Sequence, residues 1–124
     1  MIPIKPNPND WKKPLYIATF KEVIYDDELN EIRTYNEPVA YEMNYQPVSS
    51  YLDIQEFGKD ATKIQKIVLP IKDKDLFKEY DLAYLNGATP DGEGNYGDNA
   101  NYVMLPPKIG NAVVIIYCQK IKGK

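Results

Sequence analysis

Alternation is cleanest between residues 39 and 46. Val39, Tyr41, Met43 and Tyr45 fall on one face, and Ala40, Glu42, Asn44 and Gln46 on the other. A period of two with one polar face predicts a half-buried antiparallel strand. Residues 15–25 (LYIATFKEVIY) are β-branched and aromatic, which predicts a strand. Asp26-Asp27-Glu28 interrupts that run and residues 29–35 read as its return, a hairpin with an acidic tip. Residues 62–71 predict another strand, with Pro70 marking an edge or an end. Residues 81–85 and 101–105 are short strands, the second stopped by Pro106-Pro107. Residues 111–121 close the chain with the continuous apolar run Val113 to Cys118, which predicts a central strand covered on both faces. Helical signal is weak. Residues 48–60 read as a short helical turn or loop, with Ser50 and Asp53 approximating a capping box and Gly58 placed to end it. Residues 73–80 read as a loop or a single turn.

Six to eight short strands separated by Pro and Gly signals predict a mainly β chain, a small β-barrel or sandwich. Residues 1–14 hold four prolines and two asparagines, and read as an extended arm leading into one β domain over 15–124. Trp11 favours an arm that packs on a neighbouring subunit over a free tail, because an indole is seldom left in water. Residues 86–99 carry four of the seven glycines and predict a long Gly-rich surface loop. Its low apolar content makes it a flexible loop ordered by a partner, with Tyr96 as the anchor.

Composition narrows the chemistry. The chain has 124 residues and 44% apolar content, enough for one domain with its own core. It has no histidine, so it lacks the commonest general base and metal ligand, and a His-dependent triad is excluded. A single cysteine, Cys118, makes no internal disulfide and sits in an apolar run, a small buried hydrophobe. No apolar run approaches the ~20 residues of a membrane span. Met1 to Pro8 has no apolar signal-peptide core, so the expectation is a chain without a leader, in a reducing cytoplasm. Eleven of the fifteen aromatics are Tyr, a residue suited to wet interfaces. The net charge of -3 is unevenly spread. Residues 22–60 carry ten acids against Arg33 and Lys59, while residues 1–21 carry four lysines against Asp10 and residues 100–124 four lysines and no acid. An acidic body with one Arg argues against specific nucleic-acid recognition.

Three motifs could carry chemistry. Asp91, Glu93 and Asn95 are spaced like the first ligands of a calcium loop, but Tyr96 stands where that loop needs Gly and Tyr102 where it needs Glu. Asp26, Asp27, Glu28 and Glu31 could pair as catalytic carboxylates, yet an exposed tip offers no desolvation to raise a carboxyl pKa. Tyr41 and Tyr45 could form a stacking platform for sugars, the alternative reading of the chain as a carbohydrate-binding or other tyrosine-rich module. Otherwise they are core. No catalytic, metal or cofactor-binding residue is assigned. Trp11, Asp26, Asp27, Glu28, Asp91, Glu93 and Tyr96 are the candidate interface residues.

The succession Tyr45-Gln46-Pro47-Val48, Asp53-Ile54-Gln55-Glu56-Phe57-Gly58, Lys63-Ile64-Gln65-Lys66-Ile67-Val68-Leu69, Tyr80-Asp81-Leu82-Ala83-Tyr84-Leu85-Asn86-Gly87, Asn99-Ala100-Asn101-Tyr102-Val103 and Val113-Val114-Ile115-Ile116-Tyr117 resembles small head-closure and head–tail connector proteins. These belong to the necks of tailed bacteriophages that infect Gram-positive bacteria. The resemblance covers roughly residues 15–121. It implies a small β-barrel with extended loops and arms, without enzymatic activity or cofactor. It also implies a homo-oligomeric ring, usually a hexamer, between the portal-side adaptor and the tail. Such a ring closes the packaged head, DNA only passes through its channel, and it resides in the virion neck after synthesis in the host cytoplasm. No membrane is involved.

Overall fold

The computed structural model describes residues 12–48, 51–90, 92 and 95–123. The chain is mainly β, built on a nearly closed, barrel-like sheet of seven antiparallel strands. In chain order the elements are β1 (Lys13–Ala18), β2 (Phe20–Tyr25), β3 (Glu31–Tyr35), β4 (Val39–Met43), β5 (Tyr45–Pro47), α1 (Tyr51–Phe57), β6 (Ile64–Pro70), β7 (Leu82–Tyr84), β8 (Tyr102–Met104), β9 (Lys108–Ile109) and β10 (Val113–Lys120). Short 3-10 turns over Gly58–Lys63 and Ile71–Asp73 precede and follow β6. The sheet runs β4-β1-β7-β8-β10-β6-β5, with β9 also paired to β10. β2 and β3 form a separate two-stranded ribbon.

The two ends of the sheet are joined by one covalent junction. β4 and β5 lie at opposite ends of the sheet, yet only Asn44 separates them in sequence. The stretch that reads as one strand over 39–46 is therefore two half-strands, one paired to β1 and the other to β6. Its alternation survives the bend. Val39 is exposed, Tyr41 half-buried, and Met43 and Tyr45 are buried, so the apolar face enters the core as the strand advances.

The core is the inward set of each strand: Leu15 and Ile17, Ile67 and Leu69, Val114, Ile116 and Cys118, with Phe77 and Met104 filling the ends. Each fully buried aliphatic side chain contributes roughly 1.5–3 kcal/mol. β10 pairs over seven residues with β6 and also with β8 and β9, the central position its apolar run implies. A second, smaller cluster lies on the outer face of β1 and β7: Ala18, Leu82, Tyr84 and Ala100, with Tyr16 and Tyr35 against it.

Two boundaries differ from the sequence reading. Strand β1 begins at Lys13, so Lys13 and Pro14 pair with Met43 and Glu42 and do not belong to an arm. Residues 15–25 are two strands broken at Thr19. The break has a cause far along the chain: the buried Asp81 carboxylate accepts the Phe20 N–H at 2.8 Å, and Asn36 N–H turns to the Thr19 carbonyl at 2.8 Å. Phe20 is thereby taken out of the barrel ladder and the chain leaves as the ribbon.

Candidate docking surface

The ribbon is exposed along most of its length. In β2 only Phe20 is partly covered, and in β3 only Thr34 and Tyr35. At its base Phe20 and Tyr35 meet edge to face, with centroids 6.0 Å apart. Beyond the base, Ile24 pairs directly across from Ile32, and Val23 across from Arg33. The two pairs point to opposite faces, since neighbouring positions on a strand alternate. Val23, Ile24, Tyr25, Leu29 and Ile32 are all exposed, Leu29 at 80% and Tyr25 at 62%. An isolated two-stranded sheet is marginal in water. Arg33 steadies this one from one side, its guanidinium 4.4 Å from the centre of the Tyr80 ring.

The acidic tip is a built turn. Asp26 Oδ1 accepts the N–H groups of Glu28 and Asn30, each at 2.9 Å. Its Oδ2 accepts from Asn30 Nδ2 at 3.2 Å. The Asn30 amide, foremost, holds the Asp26 carboxyl below its usual pKa. Leu29 adopts φ 64, a left-handed conformation that places its side chain at the extreme of the tip. Asp27 and Glu28 are exposed beside it.

Between the ribbon and the end of the Gly-rich loop lies a cleft of about 520 Å³, walled by Ile24, Ile32, Thr34, Tyr35, Tyr96 and Asp98. The structure thus brings Tyr96 to the ribbon, with 52% of its surface exposed. Trp11, Asp91 and Glu93 lie outside the described residues.

The loop departs from the expectation of a segment ordered only by a partner. Asn101 exchanges hydrogen bonds with the Leu85 backbone, both at 2.9 Å. Asn99 Nδ2 donates to the Thr89 carbonyl at 2.8 Å. Asp98 accepts the Asn95 N–H at 3.0 Å, and Ala100 N–H reaches Gly97 O at 3.1 Å. Gly97 has φ +90, and a Cβ there would lie 2.8 Å from Leu82 Cδ1. Residues 95–100 are therefore part of the cover over the second core cluster, and the signal missed was the set of Asn side chains able to stand in for backbone partners.

The tyrosine stripe is mostly inside. Tyr45 is 2% exposed, with its hydroxyl accepting Asn86 N–H at 2.8 Å. Tyr41 is half-buried edge-on to Phe77, centroids 5.4 Å apart. Buried Tyr45 therefore presents no open ring face for stacking on a sugar. Cys118 is fully buried, and burial pushes its thiol up to about 12.

Among the described residues two buried carboxylates remain, and both fasten elements together. Asp81 Oδ1 takes Phe20 N–H and Oδ2 takes Lys78 N–H at 2.9 Å. Burial raises its pKa and the two amides oppose the rise. Asp53, on α1, accepts the Tyr117 hydroxyl and pairs with Lys66 Nζ at 3.3 Å. Burial, then the Asp53 hydrogen bond, raises the Tyr117 pKa. Phe57 packs on the Tyr117 ring at 4.9 Å and Lys108 bridges from that ring to Glu56. Helix α1 is thus pinned over β6 and β10.

No protein-family model matches the chain, and no curated protein matches it. Among solved structures, the solution structure of protein SF1141 from Shigella flexneri 2a matches with a TM-score of 0.55 at 14% identity. The match covers 90% of this chain and 93% of that one. At that identity the likeness concerns the fold.

Proposed function

We propose that the chain is a non-enzymatic structural protein that assembles with copies of itself into a ring, closing the packaged head of a tailed phage and joining it to the tail. The observation that carries this reading is the ribbon, where Val23, Ile24, Tyr25, Leu29 and Ile32 face solvent on a two-stranded sheet beside a tyrosine-walled cleft. Ile24 and Ile32 on one face and Val23 and Tyr25 on the other leave both faces of the ribbon apolar and open to a partner. The succession of short motifs from Tyr45 to Tyr117 that resembles phage neck proteins supports the same class. The buried acids favour a structural role over a catalytic one, because Asp81 spends both oxygens on backbone amides and Asp53 is engaged by Tyr117 and Lys66. On this reading the partners are other copies in the ring, the portal-side adaptor and the tail. DNA passes through without being gripped, no cofactor is used, and the site of action is the virion neck.

The test is a tailed phage that encodes the chain, carrying Ile24→Lys with Ile32→Glu. The two positions face each other, so the opposite charges support the ribbon while its apolar contact is removed. The expected result in micrographs is filled or leaking heads and unattached tails. Normal numbers of infectious tailed particles would refute the role.

A further inference from the structure

Two exposed charge clusters of opposite sign lie on the molecule, and neither is neutralised within the chain. Residues 26–31 at the ribbon tip hold four acids and no base, the densest run of acids in the sequence. Asp26 spends its oxygens on the turn, so Asp27, Glu28 and Glu31 carry the tip's open charge. The second cluster is a cleft of about 440 Å³ where the 3-10 turn before β6 meets the end of β10. Lys63, Lys120 and Lys122 line it against Asp60, with Gln119 and Ile121 among them. All three lysines are exposed. Among the described residues, none of these three tip acids or three cleft lysines has an ion-pair partner in the chain.

We infer that the acidic ribbon tip of one copy docks into the lysine-lined cleft of the next copy. This inference rests on the self-assembly reading and names the contact that directs it. Charge selects the occupant, since three cations against one acid face a tip of acids alone. Shape agrees. The tip is a tight turn held by Asp26 and Asn30, with Leu29 at its extreme and 80% exposed, and Ile121 offers it an apolar contact in the cleft. The tip does not occupy its own cleft. Ribbon root and cleft lie at the same end of the barrel, because Ala18, Leu82, Val103 and Gln119 are in register across β1, β7, β8 and β10. The ribbon leans instead on Tyr80 through Arg33, and no ribbon residue lines the lysine cleft. Because tip and cleft are different surfaces, the contact is heterologous, and repeated about an axis it closes a ring. Single exposed ion pairs contribute little, so the clusters act by steering and register while the ribbon's apolar faces supply buried area.

A carbodiimide joins a carboxylate to an amine at zero length, so it captures this contact directly. Heavy-nitrogen and ordinary full chains are mixed, allowed to associate, cross-linked and digested, and the linked peptides are read by mass spectrometry. Links from Asp27, Glu28 or Glu31 to Lys63, Lys120 or Lys122 should appear, and should include pairs with one heavy and one ordinary partner. Sedimentation velocity on variants is the second measure. A chain with Asp27→Lys, Glu28→Lys and Glu31→Lys, and one with Lys120→Glu and Lys122→Glu, should each associate about ten-fold more weakly or worse, because like charges then face each other. All five positions are exposed, so both variants should melt with the parent chain. An equimolar mixture of the two should recover the association, since each tip then meets a cleft of opposite charge. Links confined to partners of one isotope would mean docking within one chain and overturn the inference, as would a mixture that fails to recover. Association that neither variant weakens, or that yields no such links, would overturn this contact while leaving self-assembly standing. A parent chain that stays monomeric up to its solubility limit would overturn both.

Discussion

Asp81 does more for the fold than its place at the head of a three-residue strand suggests. Its two oxygens satisfy the N–H groups of Phe20 and Lys78, and the first of these decides where the barrel ends and the ribbon begins. An Asp81→Asn variant keeps one acceptor oxygen and leaves one buried N–H without a partner. It should lose about 1–3 kcal/mol in urea unfolding. The pH dependence follows from the direction of the shift. Burial raises the folded pKa above the unfolded one, so the native state holds the proton more tightly between the two values. The stability this group adds is present at acid pH and is lost as pH rises through the raised pKa. The deficit of the Asn variant should therefore be largest at acid pH and shrink as pH rises. A constant deficit across that series would contradict the assignment. None of this is readable locally, because Phe20 and Asp81 stand 61 positions apart and no pattern links them. Gly97 is similar: it reads as one more loop glycine until Leu82 and Tyr35 are seen to close on it.

The strands were legible because their inward and outward positions alternate, and β6, β7, β8 and β10 lie where the periodicity puts them. What periodicity misses is a change of partner within an unbroken pattern. The break at Asn44 keeps the alternation intact but moves the chain to the sheet's other edge, and the break at Thr19 falls inside a β-branched and aromatic run and moves the chain to another sheet. The two residues of β9, just after Pro106-Pro107, are too short to carry any period. The ribbon's exposed faces had a signal in the contiguous Val23-Ile24-Tyr25. A hairpin strand without polar alternation must either be covered or show apolar groups to solvent. The distinction between barrel and ribbon has an energetic counterpart. Ile67 is fully buried, and Ile67→Ala should cost about 2–5 kcal/mol. Ile24→Lys with Ile32→Glu changes side chains already 42% and 41% exposed, and should leave the melting temperature of the purified chain nearly unchanged. A large loss from the ribbon pair would mean that the ribbon belongs to the core.

The mainly β class follows from the sequence alone, which left a small barrel and a sandwich both open, and the structure has a nearly closed, barrel-like sheet. Of the candidate interface residues, Asp26, Asp27, Glu28 and Tyr96 sit on or beside the ribbon, while the apolar wall of the cleft needed the separate sheet to be seen. On the proposed reading, copies of the chain meet through the β2–β3 ribbon and its cleft. Amide hydrogen exchange, followed by mass spectrometry on dilute and on concentrated protein, tests this most directly. The ribbon's amides have little cover in the single chain and should exchange quickly when dilute. On association, protection should rise over residues 20–35 and 95–98, while β6 and β10, already central, stay unchanged. Association that leaves the ribbon's exchange as fast as in the dilute chain, or that protects another face instead, would contradict the account.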